Sequence, residues 1–368
     1  LVTDGGRSQT GGVTWRKDGK GFYYSSTKRN GGDRDVYYMD PNNPKSEKLV
    51  LQLKGGGWGI QDISADNKKL LIGEYISINE SYIWLLDIET GKLTEVTDRN
   101  TKGITQTGAS FSSNPNEIWY VTDKDNEFER LATMNLDSKK VSFYTTAIPW
   151  NIENYSLSED KKSIIFISNE AGLNKMYLMN TNTKSYKEVP NLPIGLIGGA
   201  SFTKDNQTIF FTQSTAQSAA DVYQLNIKTG QIKRWTESEL GEMQKSDMSV
   251  PKFIEWKSFD DLKISGFYYP AASKFKGKRP VLIMIHGGPE GQSLASFLGS
   301  NNFYTSEMGV SLLYPNVRGS SGFGKTYLAK DNGFLREDYV KDIGALLDWI
   351  AQQPELDKDR VMIMGGSY

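Results

Sequence analysis

The feature that most constrains this chain is self-similarity with a period of 45 to 48 residues. Segments beginning at Trp15, Ile63, Phe111, Leu157 and Phe202 share one pattern. An apolar residue is followed by a polar stretch carrying Asp or Asn, then by an aromatic or β-branched run. Examples are Ile63-Ser-Ala-Asp-Asn-Lys-Lys-Leu-Leu-Ile and Phe202-Thr-Lys-Asp-Asn-Gln-Thr-Ile-Phe-Phe. Each unit divides into four short strand-like runs, in the second near residues 60–64, 70–75, 82–88 and 92–97. Turn residues such as Asp66-Asn67 and Glu89-Thr90-Gly91 separate them. Helical periodicity is missing. Units of about 40–50 residues with four strands each are the signature of a β-propeller, whose blades bury their apolar faces against one another. A long β-sandwich is the competing reading, and regular spacing over five units disfavours it.

The opening Leu1-Val-Thr-Asp resembles the ends of later units, Glu95-Val-Thr-Asp98 and Arg234-Trp-Thr-Glu237. The expectation is therefore an incomplete propeller of about five blades and a stub over residues 1–240. Residues 237–250 are polar and without period, and a linker is expected over 241–252.

After Pro251 the pattern changes. Residues 253–259 and 262–269 read as a hairpin turning at Asp260-Asp261. Val281–Ile285 is a continuous apolar strand, as in a sheet covered on both faces. Residues 292–308 are expected to be helical around Leu294, Phe297 and Leu298, against the presence of Gly299 and two asparagines. Residues 310–314 form another strand, which enters the glycine-rich Pro315-Asn-Val-Arg-Gly-Ser-Ser-Gly-Phe-Gly324. That loop lacks the lysine and Ser/Thr spacing of a phosphate cradle. It is read as the rim of a site, with Arg318 a structural ion-pair donor. Residues 336–353 are the strongest helix, with Val340, Ile343, Leu347 and Ile350 as its apolar face and Pro354 ending it. Strand, helix and strand in alternation imply a parallel sheet with right-handed crossovers, here half of an α/β domain over 253–368.

Two motifs carry chemistry. Val361-Met-Ile-Met-Gly-Gly-Ser-Tyr368 is a strand running into a tight turn at Ser367, the start of a nucleophile elbow. Gly-x-Ser alone is weak, since it also begins at Gly6, Gly108, Gly199, Gly291, Gly309 and Gly319. The second motif, His286-Gly-Gly-Pro289, directly follows the 281–285 strand. A glycine pair there offers backbone N–H groups unobstructed by side chains. In α/β-hydrolases such a loop and the residue after the nucleophile form the oxyanion hole.

Composition narrows the chemistry further. Lys and Arg total 43 against 44 Asp and Glu, net charge −1. That balance argues against a nucleic-acid or polybasic membrane partner. There is no cysteine, which removes thiolate nucleophiles, disulfides and zinc–thiolate sites. No cofactor and no metal is expected. His286 is the single histidine.

Together, these residues resemble the prolyl oligopeptidase family of serine peptidases. They are the propeller, His286-Gly-Gly-Pro, Pro315-Asn-Val-Arg-Gly-Ser-Ser-Gly, Asp357-Lys-Asp-Arg and Gly365-Gly-Ser-Tyr. The likeness is to its acylaminoacyl-peptidase and dipeptidyl-peptidase-like bacterial branch. The resemblance implies a propeller that restricts entry to peptides, and Ser367 as nucleophile. It also implies an oxyanion hole of the Gly288 and Tyr368 N–H groups, with His286 a further candidate donor. Family members place the triad Asp and His after the serine. His286 precedes Ser367 and is expected to shape the loop rather than act as base. The expectation is therefore a peptidase acting on oligopeptides, present here as a piece without its acid and base and inactive by itself. An esterase on the same domain, or a propeller binding module with a non-catalytic hydrolase domain, are the alternatives. Glu127, Glu129 and Glu153 are expected on blade edges and turns, with capture of a substrate amino terminus as their alternative role.

Overall fold

The computed structural model describes residues 3, 6–288 and 290–367. Five four-stranded antiparallel sheets, each a meander in chain order, occupy residues 10–51, 58–95, 106–143, 151–188 and 196–234 among these. These are the blades. The residues that open each sequence unit, Trp15, Ile63, Phe111, Leu157 and Phe202, are the last residues of the first strands. The repeat is therefore a turn motif with a strand on either side. Residues 1, 2 and 4, which carry the expected stub, lie outside the described residues.

The turn explains the recurrent Asp. In blades two, four and five a Ser or Thr hydroxyl donates to the Asp two residues on. The pairs are Ser64–Asp66 at 2.6 Å, Ser158–Asp160 at 2.7 Å and Thr203–Asp205 at 2.5 Å. The same carboxylates accept the N–H groups of Lys68, Lys162 and Gln207. These bonds, the hydroxyl's first, hold all three carboxyls below their ordinary range. The next residue, Asn67, Lys161 or Asn206, is left-handed at φ 59 to 60°. Asn tolerates that conformation well. In two blades it has a second use. Asn67 Oδ1 accepts the Lys17 N–H of the preceding blade, and Asn206 Oδ1 accepts that of Glu159.

The strands between the turns bury both faces. Leu71, Ile83 and Val96 of the second blade pack with Phe111, Ile118 and Tyr120 of the third. Ile165, Ile167 and Met176 of the fourth pack with Ile209, Phe211 and Leu225 of the fifth. All five first-to-second strand pairings contain a register irregularity. Such bulges bend a strand and increase its twist.

By contacts the chain forms two compact units, Leu1–Pro149 and Trp150–Tyr368. The first holds three blades. The second holds two blades, the connecting stretch and a five-stranded sheet. The strands of that sheet are β1 (Lys252–Lys257), β2 (Lys263–Tyr269), β3 (Arg279–Ile285), β4 (Ser311–Asn316) and β5 (Leu356–Gly365). Their order is β1-β2-β4-β3-β5. β1 and β2 form the expected hairpin, turning through Asp261 at φ 61°. β3 pairs parallel with both β4 and β5. Its Val281, Leu282 and Ile283 are buried, as their unbroken apolar run requires.

Three local expectations change. Residues 292–308 are helical only in a 3-10 turn at 299–301 and in α1 (Asn302–Ser306). The preceding stretch is held by external hydrogen bonds, Ser293 N–H to Asn316 Oδ1 and Ala295 N–H to the Gly172 carbonyl. After the short α2 (Lys325–Leu328), α3 (Asp338–Gln352) buries Asp342, Ile343, Leu346 and Ile350. Val340 and Leu347 are exposed, because the buried stripe is centred on the side carrying Asp342 and Leu346. Finally, β5 starts at Leu356 instead of near Val361. Arg279 opposes Leu356 while Val281 opposes Val361, so β5 accommodates extra residues before regular pairing. β5 is the last strand in the sheet order among the described residues, and Met362, Ile363 and Met364 are exposed on it.

Candidate active site

The regular parallel register brings the two chemical motifs together. Ile285, the last residue of β3, pairs with Gly365, the last residue of β5. His286-Gly287-Gly288 and Gly366-Ser367 therefore leave the sheet side by side. A Cβ at Gly287 would lie 2.7 Å from the Gly366 carbonyl oxygen and 3.0 Å from Ser367 Cβ. At Gly288, φ is +137°, and a Cβ would meet the backbone nitrogens of Glu290 and Gly291 at 2.4 and 2.5 Å. The loop folds so tightly that no side chain fits at either position.

Ser367 is exposed and has φ +69°. A serine in that region is strained by about 1–3 kcal/mol. Such strain accompanies a sharp strand-to-turn transition that presents the hydroxyl outward. Tyr368, the other expected source of an oxyanion N–H, lies outside the described residues, as does Pro289.

His286 turns into the protein. Its Nδ1 is 3.0 Å from the Gly287 carbonyl and its Nε2 3.0 Å from Ser320 Oγ. Burial lowers its pKa, and the Gly287 carbonyl only partly offsets this. A carbonyl can only accept. The single Ser320 hydroxyl proton donates to the Val317 carbonyl at 2.6 Å, so Ser320 Oγ can only accept from Nε2, and a neutral ring has one proton for its two contacts. Both ring nitrogens face partners within the loops.

The glycine-rich stretch 315–324 is tied down by Arg318, which is 3% exposed. Its guanidinium lies 2.8 to 3.1 Å from the Asp342 carboxylate of α3, and Nη2 is 3.0 Å from Asp260 in the β1–β2 turn. Its backbone N–H also donates to Asp342, which accepts from Ser258 Oγ at 2.6 Å. Burial opposes the charge on Arg318, and the bonds to Asp342 and Asp260 outweigh it, raising its pKa. Asp260 is held low by the same contact. This ties the glycine-rich loop, α3 and the β1–β2 turn together.

The acidic residues belong to different compact units. Glu153 accepts from Asn169 Nδ2 at 2.6 Å and from Asn174 Nδ2 at 3.1 Å. Glu127 and Glu129 lie in the first unit, between the strands Glu117–Thr122 and Arg130–Asn135. Sequence reasoning misses the Asn169–Gln292 contact, in which Asn169 Nδ2 donates to Gln292 Oε1 at 2.6 Å. The residues are 123 positions apart, and nothing local signals the pairing. Among the described residues no group of His, Asp and Glu is arranged to hold a metal ion, and no helix is long and apolar enough to cross a membrane.

A propeller followed by part of an α/β-hydrolase domain, with Ser367 beside a glycine loop, defines the class. The profile of the prolyl oligopeptidase N-terminal β-propeller domain matches residues 5–238, and that of the prolyl oligopeptidase family matches residues 296–368. The chain belongs to the prolyl oligopeptidase family. It is 26% identical over 385 aligned positions to dipeptidyl-peptidase 5 of Aspergillus fumigatus, covering 94% of this chain and 52% of that protein. A shorter match, 34% over 89 residues, is to dipeptidyl aminopeptidase BIII of Pseudoxanthomonas mexicana, covering 24% of this chain and 13% of that one. The crystal structure of a puromycin hydrolase superposes with a TM-score of 0.85 at 13% identity, over 98% of this chain and 58% of that one. The chain thus spans about half the length of the fungal protein and of the puromycin hydrolase.

Proposed function

We propose that the protein is a serine peptidase that cleaves peptide bonds of oligopeptides through an acyl-enzyme. Ser367 Oγ attacks the carbonyl carbon, and the oxyanion is received by the Gly288 and Tyr368 N–H groups. Collapse expels the amine and leaves an ester on Ser367, which water hydrolyses. The observation that carries this reading is the left-handed, exposed Ser367 lying against Gly287 at the ends of two paired parallel strands. Family membership favours peptides over other acyl compounds.

His286 does not take the serine proton in this reading. Its nitrogens are engaged by Gly287 and Ser320, and burial keeps it neutral. Its role is to brace the loop. The base and the acid that orients it are then supplied from outside these 368 residues, which alone do not turn over. A triad that loses members keeps only residual catalysis.

The test is fluorophosphonate labelling of the full-length protein followed by peptide mapping. The label is expected on Ser367, with hydrolysis of peptide anilides abolished in Ser367→Ala. An intact protein that leaves Ser367 unlabelled is instead a binding module on a hydrolase scaffold. Labelling with ester but no peptide turnover makes it an esterase. Turnover by the isolated 368 residues, lost in Ser367→Ala, would show that the base lies within them.

A further inference from the structure

We propose that the tip of the fourth-blade hairpin, residues 169–174, positions the oxyanion loop, and that Asn169 transmits this through Gln292. The inference rests on the peptidase reading for its kinetic consequence, but its structural core does not. All the residues involved lie within the second compact unit.

The loop needs outside support. Residues 287, 288 and 291 are glycines, so they add no side-chain packing and lose more chain entropy on ordering than other residues would. Gln292 is the first residue after them with an anchored side chain. Its amide fills the space that a Cβ on Gly322 would enter, at 2.4 to 2.6 Å. The Gly291 carbonyl accepts the Ser321 N–H at 3.0 Å. Ser293 is fixed in turn by Asn316 and the Pro315 carbonyl. The segment 291–293 thus joins the oxyanion loop to the glycine-rich loop.

The hairpin tip reaches into this segment. Glu170 pairs with Leu173, leaving Ala171 and Gly172 as a two-residue turn at φ 53° and 89°, the primed type that suits twisted strands. A Cβ on Gly172 would lie 2.8 Å from the Phe267 ring and 3.2 Å from the Ser293 carbonyl. The Gly172 carbonyl accepts the Ala295 N–H at 3.1 Å. Leu173 packs against the apolar cluster of Phe267, Leu282 and Leu298. The tip is thus inserted into the α/β sheet's own packing.

Asn169 sits at the centre and is 1% exposed. Its Oδ1 accepts the Gly172 N–H at 2.9 Å, which fixes the orientation of the amide. Nδ2 must then face Glu153, which only accepts, and Gln292, which presents Oε1 to it. The path runs from Glu153 through Asn169 to Gln292, along the backbone to Gly291, whose added Cβ would lie 2.5 Å from the Gly287 carbonyl oxygen, and from Gly287 to Ser367. Catalytic geometry needs to be held within about 0.5 Å. Asn169 is a positioning residue and touches no reacting atom.

The test uses the full-length protein with Asn169→Ala, Gln292→Ala, Asn169→Asp and the double variant Asn169→Asp with Glu153→Gln. Hydrogen exchange of the amides in 286–293 is read against those of β1 and β2. We expect faster exchange confined to 286–293 in Asn169→Ala and Gln292→Ala. Their kcat and the rate of fluorophosphonate labelling should fall about tenfold, with KM within about twofold. Asn169→Asp sets a second carboxylate against Glu153 and should be worse, increasingly so as pH rises. Glu153→Gln restores a donor in Glu153's place and should recover most of the loss. Unchanged local exchange in both alanine variants overturns the proposal, as does a uniform increase across the sheet or failure of the double variant to recover. If the unaltered protein neither labels nor hydrolyses, the peptidase reading falls, and the exchange pattern still decides the positioning claim.

Discussion

The blades and the α/β sheet both depend on left-handed backbone, and they use it in opposite ways. In the blades it recurs at several turn positions, among them Asn67, Lys161 and Asn206, where a neighbouring Asp satisfies the turn with its own side chain. The cost is local and repeated, and the residue type varies. At the ends of β3 and β5 it occurs at Gly288 and Ser367, beside contacts that exclude any added atom. Redundancy therefore protects the blades, whereas the site has one solution and no reserve.

The largest expected effect comes from setting two glycines against each other. Gly287→Val drives a side chain into Gly366 and Ser367. On the proposed reading of this loop, labelling of Ser367 in the full-length protein should drop at least about 100-fold, the cost of displacing an oxyanion donor. Gly59 in the second blade has no neighbouring atom of the described residues within 4 Å of an added Cβ. Gly59→Ala should leave both labelling and the urea midpoint nearly unchanged. Equal sensitivity of the two would erase the distinction.

Arg318→Ala comes next. It leaves the fully buried Asp342 carboxylate without its cation and should cost about 3–5 kcal/mol in urea unfolding. Arg16→Ala, in the first blade's turn, removes a solvent-facing partner of Asp18 and should shift the midpoint far less. A comparable shift from both would mean that the Arg318 network adds nothing beyond a surface pair.

Asp331 separates the regions by pH. It is buried, its Oδ2 has no hydrogen-bond partner among the described residues, and its carboxyl lies where a Gly319 side chain would be. Desolvation raises its pKa, Glu290 adds to this, and Arg336 opposes it. A raised carboxyl binds its proton more tightly in the folded state. Its favourable contribution is complete below the ordinary carboxyl value of 3.8 and is lost as pH rises through the elevated one. An amide at this position does not ionise, so Asp331→Asn should stabilise by on the order of 1 kcal/mol at neutral pH and by less near pH 4. The blade-turn carboxyls of Asp66, Asp160 and Asp205 are shifted the other way, and their contribution is present above the ordinary value and lost as pH falls through the lowered one. A melting series for Asp331→Asn with the opposite slope would reject this assignment.

What is legible in the sequence follows the same division. The blades can be read because Ser64, Asp66 and Asn67 act on their own backbone within five residues, so the pattern lies in consecutive letters. Each motif can be read because strand and glycines are adjacent in the chain, whereas the approach of Ser367 to Gly287 is made by the pairing of β3 with β5 and is expected only from the family resemblance. The charge on Arg318 suggests an ion pair, but its partners Asp260 and Asp342 become neighbours only in the folded sheet. The apolar letters of α3 point one residue off its buried stripe, because Val340 and Leu347 are apolar and still exposed, as are Met362 and Ile363 on β5. The Asn169–Gln292 contact spans 123 positions and joins two different kinds of fold, and no periodicity encodes it.

The smallest effects test redundancy within the blades. Asn67→Gly keeps the left-handed turn and loses only the bond to Lys17 N–H, so it should cost about 0.5 kcal/mol or less. Asn67→Ala loses the same bond and adds the left-handed penalty, so it should cost roughly 1–2 kcal/mol. In the fourth blade the position is Lys161 at φ 59°, and Lys161→Asn should stabilise by a few tenths of a kcal/mol because Asn adopts this region more readily. Urea midpoints of the three variants, ordered with Lys161→Asn above wild type, Asn67→Gly just below it and Asn67→Ala lowest, would show that backbone conformation sets the cost at this turn. An Asn67→Gly loss as large as that of Asn67→Ala would instead make the inter-blade hydrogen bond the main term, and the blades would then be less independent of one another than their interchangeable turn residues imply.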